Sequence, residues 1–189
     1  MDLPKVALIE AETSFQPYNI AKEKFYVYSY NLYRNLINFN ANVTKIGVKD
    51  IPLIGKGPSI MLYSMKHDFR EYDIIHNLDL NPILPLRKGK AIIINTAHDL
   101  AFAIDPNTTN EKKLGLYTML NANYIIAVST LTKSDLISFG YDKRKIFVVN
   151  HGIDERFLKP IKVHNNKRFV IGYLGVLAVR RPYLRCLKI

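Results

Sequence analysis

The sequence predicts an α/β fold: a doubly wound, Rossmann-like parallel sheet with helices on both faces, followed by a truncated start of a second Rossmann-like domain. Three observations predict it. Short runs rich in Ile and Val recur along the 189 residues without clean polar alternation, which is the pattern of strands covered on both faces. Helical stretches separate the runs, and parallel strands joined through helices make right-handed crossovers. Finally, Pro160 and the polar run Val163-His164-Asn165-Asn166-Lys167 have the composition of a linker, and a new apolar run starts just beyond it.

The first strand is read at Val6 to Ile9. A long helix is expected over about Ile20 to Asn40, where Phe25, Tyr28, Leu32, Leu36 and Phe39 fall three and four residues apart and should face the sheet. Tyr26, Tyr30 and Tyr33 widen its apolar side; core packing is the first reading of so aromatic a helix, and contact with a membrane surface is the second. Further strands follow at Val43 to Val48, Ile74-Ile75, Ala91 to Ile94, Tyr124 to Val128 and Ile146 to Val149. Ser129 or Thr130 caps a helix that runs to Phe139, with Gly140 in the left-handed conformation that ends it. Gly47 to Pro58 and Ala101 to Asn110 read as loops. Phe169 to Leu174 opens the second domain, so that the expected division is 1–160 for the first domain, 161–167 for the linker and 168–189 for the remnant.

Composition narrows the classes. With 48% hydrophobic and 23% charged residues the chain resembles an ordinary globular protein, and no run approaches the roughly 18 apolar residues of a membrane span. Met1-Asp2-Leu3-Pro4 leads straight into Val6 without a basic region or a long apolar stretch, so a cytoplasmic protein is expected. Cys186 is the only cysteine, which excludes an internal disulfide and a thiolate metal cluster. Twenty-seven basic against sixteen acidic side chains give a net charge of +11, a field that attracts phosphates, anionic lipid or nucleic acid unless it is simply a solvated surface.

In an open α/β sheet, ligands sit beyond the carboxyl ends of the strands, so the residues that follow each run are the site candidates. They are Glu10, Glu12, Thr13 and Ser14; His76 and Asn77; Thr96, His98 and Asp99; Ser129; and Asn150, His151 and Gly152. His98 and Asp99 together place an imidazole and a carboxylate at one strand end. The His can donate to a hydroxyl or phosphate, and the Asp can set its tautomer or hold a sugar hydroxyl; alternatively both merely cap the loop. His76 reads as structural, and His67 and His164 as surface or linker residues. Gly152 permits a positive-φ turn or a close approach of backbone to a ligand. Gly172 and Gly175 flank Tyr173-Leu174 in the last strand, and Arg180 and Arg181 come after it, a combination that can make room for a diphosphate and neutralise it, or else a tight crossing with two solvated arginines. Metal, P-loop, dinucleotide and nucleophile-elbow motifs are all missing.

Asn95-Thr96-Ala97-His98-Asp99-Leu100, then Ala122 to Ser129 with Lys133-Ser134-Asp135-Leu136, then Lys145 to Asp154, Phe157 and Pro160, and Ile171-Gly172-Tyr173-Leu174-Gly175 stand in a specific order and spacing. Together they resemble the retaining glycosyltransferases of GT-B architecture often called glycosyl transferase group 1, strongly from about Ile92 to Gly175 and in architecture alone before that. The resemblance implies an acceptor-side first domain and a nucleotide-sugar-binding second domain, with transfer in the cleft. It gives catalytic roles to His98 and Asp99, substrate-binding roles to Ser129, Asn150, His151 and Gly152, and donor-phosphate roles to Gly175, Arg180 and Arg181. Where the family commonly has an Arg after the glycine this chain has Val176, and Arg181 is the nearest match to the family's Lys. No metal or other cofactor is expected, the nucleotide sugar being a substrate.

The implied partners are a nucleotide sugar and a glycan or lipid-linked acceptor, with an anionic membrane as a peripheral surface and a donor half on a separate chain as a further partner. The family's paired glutamates would lie past Ile189. A natural truncation, a disrupted gene product or one piece of a split enzyme is therefore expected, poorly active alone, since losing one electrostatic contact to a departing group costs on the order of 3–4 kcal/mol. The alternative is a non-catalytic, basic Rossmann-like binding or partner module. Nucleic acid is disfavoured because the basic residues are dispersed and no recognition motif is present.

Overall fold

The computed structural model describes residues 3–11, 27–48, 56–78, 83–100, 110–153 and 158. The chain divides into two units, Met1–Gly152 and Ile153–Ile189. The linker, the Phe169 to Leu174 strand, Gly175, Arg180 and Arg181 lie outside the described residues.

Six strands form one sheet: β1 (Lys5–Ala11), β2 (Asn42–Val48), β3 (Ile74–Asn77), β4 (Ile92–Ala97), β5 (Tyr124–Ala127) and β6 (Ile146–Val148). Their order is β2-β1-β3-β4-β5-β6 and every neighbouring pair is parallel. Among the described residues four helices alternate with them: α1 (Val27–Asn38), α2 (Lys56–Lys66), α3 (Asn110–Leu120) and α4 (Thr130–Ser138). This is the Rossmann-like parallel sheet the sequence predicts. Its strand order reverses between β1 and β3, and a crevice opens beyond the carboxyl ends of strands at such a reversal. Among the described residues no helix is long and apolar enough to cross a membrane.

Strand register sorts the side chains onto two faces. Ala7, Ile9, Ile46, Val48, Ile75, Ile93, Ala97, Ile125, Ala127 and Ile146 point one way and are all buried. Tyr63 of α2, Met119 of α3 and Leu136 of α4 pack against them. On the other face Tyr28, Leu32, Tyr33 and Leu36 of α1 pack on Val6, Leu8, Val43 and Leu78. Handedness accounts for the asymmetry. The step from β1 to β2 runs along the sheet in one direction and every later step runs in the other, so right-handed crossovers leave α1 alone on its face among the described helices. Around β4, β5 and β6 the α1 face consequently stays open among the described residues, with Ile92 42%, Tyr124 39% and Phe147 55% exposed.

Two expectations about boundaries change. Phe39 is 81% exposed rather than facing the sheet, because α1 ends at Asn38 and the chain turns there, with Asn40 at φ 58°. Phe25 and the stretch before Val27 lie outside the described residues. The predicted loop from Gly47 to Pro58 is partly regular: Gly47 and Val48 belong to β2, and Pro58 sits in the first turn of α2, where its missing N–H has no helical acceptor to lose. Helix α4 begins and ends as read. Ser129 Oγ accepts from the Thr132 N–H at 3.1 Å, and Gly140 holds φ 88°.

A buried amide pair ties the layers together. Asn77 Nδ2 donates to Asn95 Oδ1 at 2.7 Å, and Asn77 also meets the carbonyl and the N–H of Ile83. Asn95 Nδ2 donates to the Thr118 and Met119 carbonyls at the end of α3. Buried polar groups are tolerated when partners meet their hydrogen-bonding needs in this way. Asn77, a candidate site residue by its place after a strand, therefore serves the core.

Candidate functional site

The polar residues of the α1 face gather at the carboxyl ends of β1, β3 and β4, beside the reversal of strand order. Glu10 from β1, His76 from β3 and Thr96 from β4 all point to this face by register. His98 follows β4, Tyr28 comes from α1, and His151 arrives from the segment after β6.

His76 is buried, with Nε2 2.8 Å from Thr96 Oγ1. Burial pushes its pKa down to about 4, and the neighbouring His98 ring adds to the effect, so the ring is neutral at pH 7. The Thr96 hydroxyl also stands close to the Tyr28 phenol. Burial lifts the Tyr28 pKa above its ordinary value, the Thr96 hydroxyl partly offsets this, and the charge of Glu10 adds to it. Tyr28 therefore stays a neutral phenol.

Above this layer His98 and His151 lie nearly parallel, with ring centroids 5.3 Å apart and planes 13° apart. His98 Nδ1 and His151 Nε2 face each other at 3.4 Å. The other nitrogen of His98 lies 3.0 Å from the Leu78 carbonyl, just past β3. Tyr28 meets both imidazoles edge-on, at 4.9 Å and 84° for His98 and 5.0 Å and 73° for His151. T-shaped contacts of this kind orient rings as well as bury them.

The structure thus brings together two of the residues singled out in the sequence, His98 and His151, although 52 other residues separate them in the chain. Asp99 and Asn150 are exposed beside them. A carbonyl oxygen can only accept, so the Leu78 carbonyl, and not Asp99, sets the His98 tautomer. Ser129 is occupied as the cap of α4. Gly152 does not use the left-handed region, and open space surrounds it, since a Cβ there would meet nothing within 4 Å. Tyr28 escaped the sequence reading as a site residue because its spacing marks it for the core, which it also joins. His76 and Thr96 carried the signal of position after a strand, and only the register shows that they share a face.

No group of three or more His, Cys, Asp or Glu side chains among the described residues could hold a metal ion. What the arrangement offers is hydrogen bonding from ring nitrogens and hydroxyls, suited to a polyol. Charge concentrates elsewhere. A depression lined by Asp68, Arg70 and Glu71 lies ahead of β3, where Asp68 accepts from Arg70 at 2.6 Å and from Arg87 at 2.9 Å. Hydrogen bonds from Arg70 hold the Asp68 carboxyl well below the usual carboxylate range.

No curated protein matches the chain. Among solved structures, HepE of Anabaena in complex with UDP-glucose is similar at 12% identity and a TM-score of 0.49, covering 84% of this chain and 47% of that one. The same Anabaena protein with UDP and glucose gives 14% identity and 0.43, and with UDP 15% and 0.42, at the same coverage. The chain spans about half the length of these structures. Residues 27–157, most of the chain and five of the six strands, match the model of Glycosyltransferase Family 4. The chain belongs to glycosyltransferase family 4, and its Rossmann-like parallel sheet is that of a GT-B N-terminal domain.

Proposed function

We propose that this chain forms the acceptor side of a retaining, nucleotide-sugar-dependent glycosyltransferase that moves a hexosyl unit onto a glycan or lipid-linked acceptor. The observation that carries the reading is the cluster of Tyr28, Thr96, His98 and His151 at the reversal of strand order, within a family 4 domain. Family membership supplies the reaction class. The cluster supplies a surface that recognises hydroxyls, with Asp99 and Asn150 exposed beside it. Gly175, Arg180 and Arg181 are assigned to the donor diphosphate from their sequence pattern alone. Transfer takes place in a cytoplasmic setting, and the +11 charge favours peripheral contact with an anionic membrane that carries the acceptor.

The reading is tested by saturation-transfer NMR on the chain, with a panel of neutral oligosaccharides and, separately, of nucleotide sugars. Transfer of saturation to at least one oligosaccharide, lost in His98→Ala and kept in Phe147→Ser, is expected. If every oligosaccharide stays silent while nucleotide sugars respond, the acceptor-side assignment is wrong.

A further inference from the structure

The His98 and His151 contact has a consequence for which atom meets the substrate. Because the Leu78 carbonyl only accepts, His98 Nε2 must carry hydrogen, and a neutral His98 then has a bare Nδ1. The contact at 3.4 Å needs a hydrogen between its two nitrogens, and in the neutral pair only His151 Nε2 can supply it. Neutral His151 is left with a bare Nδ1, which has no hydrogen-bond partner among the described residues. We infer that the Leu78 carbonyl, acting through His98, makes His151 Nδ1 the hydrogen-bond acceptor that recognises a sugar hydroxyl, with His98 as a positioning residue.

The surroundings support this division. His98 is half-buried, has both ring nitrogens engaged and lies against the Tyr28 edge, whereas His151 is exposed.

This inference rests on the acceptor-side reading of the site, and the test separates the two. Imidazole nitrogens of the ¹⁵N-labelled chain are observed by long-range proton correlation at pH 8, alone and with a methyl hexoside or inorganic phosphate. Single Nε2–H tautomers are expected for both His98 and His151. The hexoside should shift His151 Nδ1, phosphate should not, and His151→Phe should weaken hexoside binding about tenfold, the equivalent of one hydrogen bond. His98→Gln, which keeps a polar group but removes the lock, should turn His151 into a tautomer mixture. An Nδ1–H tautomer at either ring, or an unchanged His151 spectrum in His98→Gln, overturns the inference and leaves the acceptor reading standing. Correct tautomers with no response to the hexoside overturn the hydroxyl assignment and the acceptor reading together.

Discussion

His76 Nε2 and the Thr96 hydroxyl meet at 2.8 Å beneath the imidazole pair, on adjacent parallel strands. Burial around the pair holds this histidine neutral, since charging it there is unfavourable, and this links folding to pH. The folded pKa of about 4 lies below the ordinary 6.5, so the unfolded chain binds the extra proton first. The stabilising contribution is complete above pH 6.5, declines as pH falls towards 4, and amounts to about 3 kcal/mol across that window. Urea unfolding at half-unit intervals should show this slope in the wild type, and His76→Gln should flatten it by close to one proton.

Asn95 joins Asn77 to the end of α3, accepting from Asn77 through its oxygen and donating to the two α3 carbonyls through its amide hydrogens. Asn95→Asp keeps the size but turns a donor towards two carbonyls into an acceptor, so it should destabilise at least as much as Asn95→Ala. Both should cost about 2–4 kcal/mol, from the buried groups left without partners. Equal stability of Asn95→Asp and wild type in chemical denaturation would contradict the donor assignment.

The two faces of the sheet predict opposite sensitivities. Leu136 is fully buried against the covered face, and Leu136→Ala should cost about 2–5 kcal/mol as a cavity forms. Phe147 lies on the open face, and Phe147→Ser should change stability by about 0.5 kcal/mol or less. Comparable losses in the two variants, read from thermal midpoints, would show that the open face is covered.

Helix α4 supplies a local test at each end. Ser129→Ala removes the cap and should cost about 1 kcal/mol, whereas Ser129→Asp should retain it. Gly140→Ala meets no steric obstacle, since nothing lies within 4 Å of a Cβ there. Its expected cost of about 1–2 kcal/mol comes only from holding an L-residue at φ 88°. Gly140→Asn should recover part of this.

Much of the fold was legible because its signals are local. Runs such as Val6 to Ile9 and Tyr124 to Val128 need only β-branched residues in sequence, and the Ser129 cap and Gly140 stop need only their own turns. Helix α3 was less legible, since its opening Asn110-Glu111-Lys112-Lys113 shows no apolar period. The site was half legible. Position after a strand picks out His98 and His151, but it gives the same weight to Ser129, which caps a helix, and to Asn77, which serves the core.

The sequence by itself determined the class of sheet, the alternation with helices and the set of strand-end residues from which a site could be drawn. Tertiary structure alone decided which of those residues meet. Register sent Glu10, His76 and Thr96 to the same face as α1, and strand order brought the loop after β6 back over β5 to His98. The tautomer of that histidine, and with it the donor and acceptor pattern of the site, follows from a main-chain carbonyl at Leu78. Every residue type carries such a carbonyl, so no choice of side chain in the sequence can announce it.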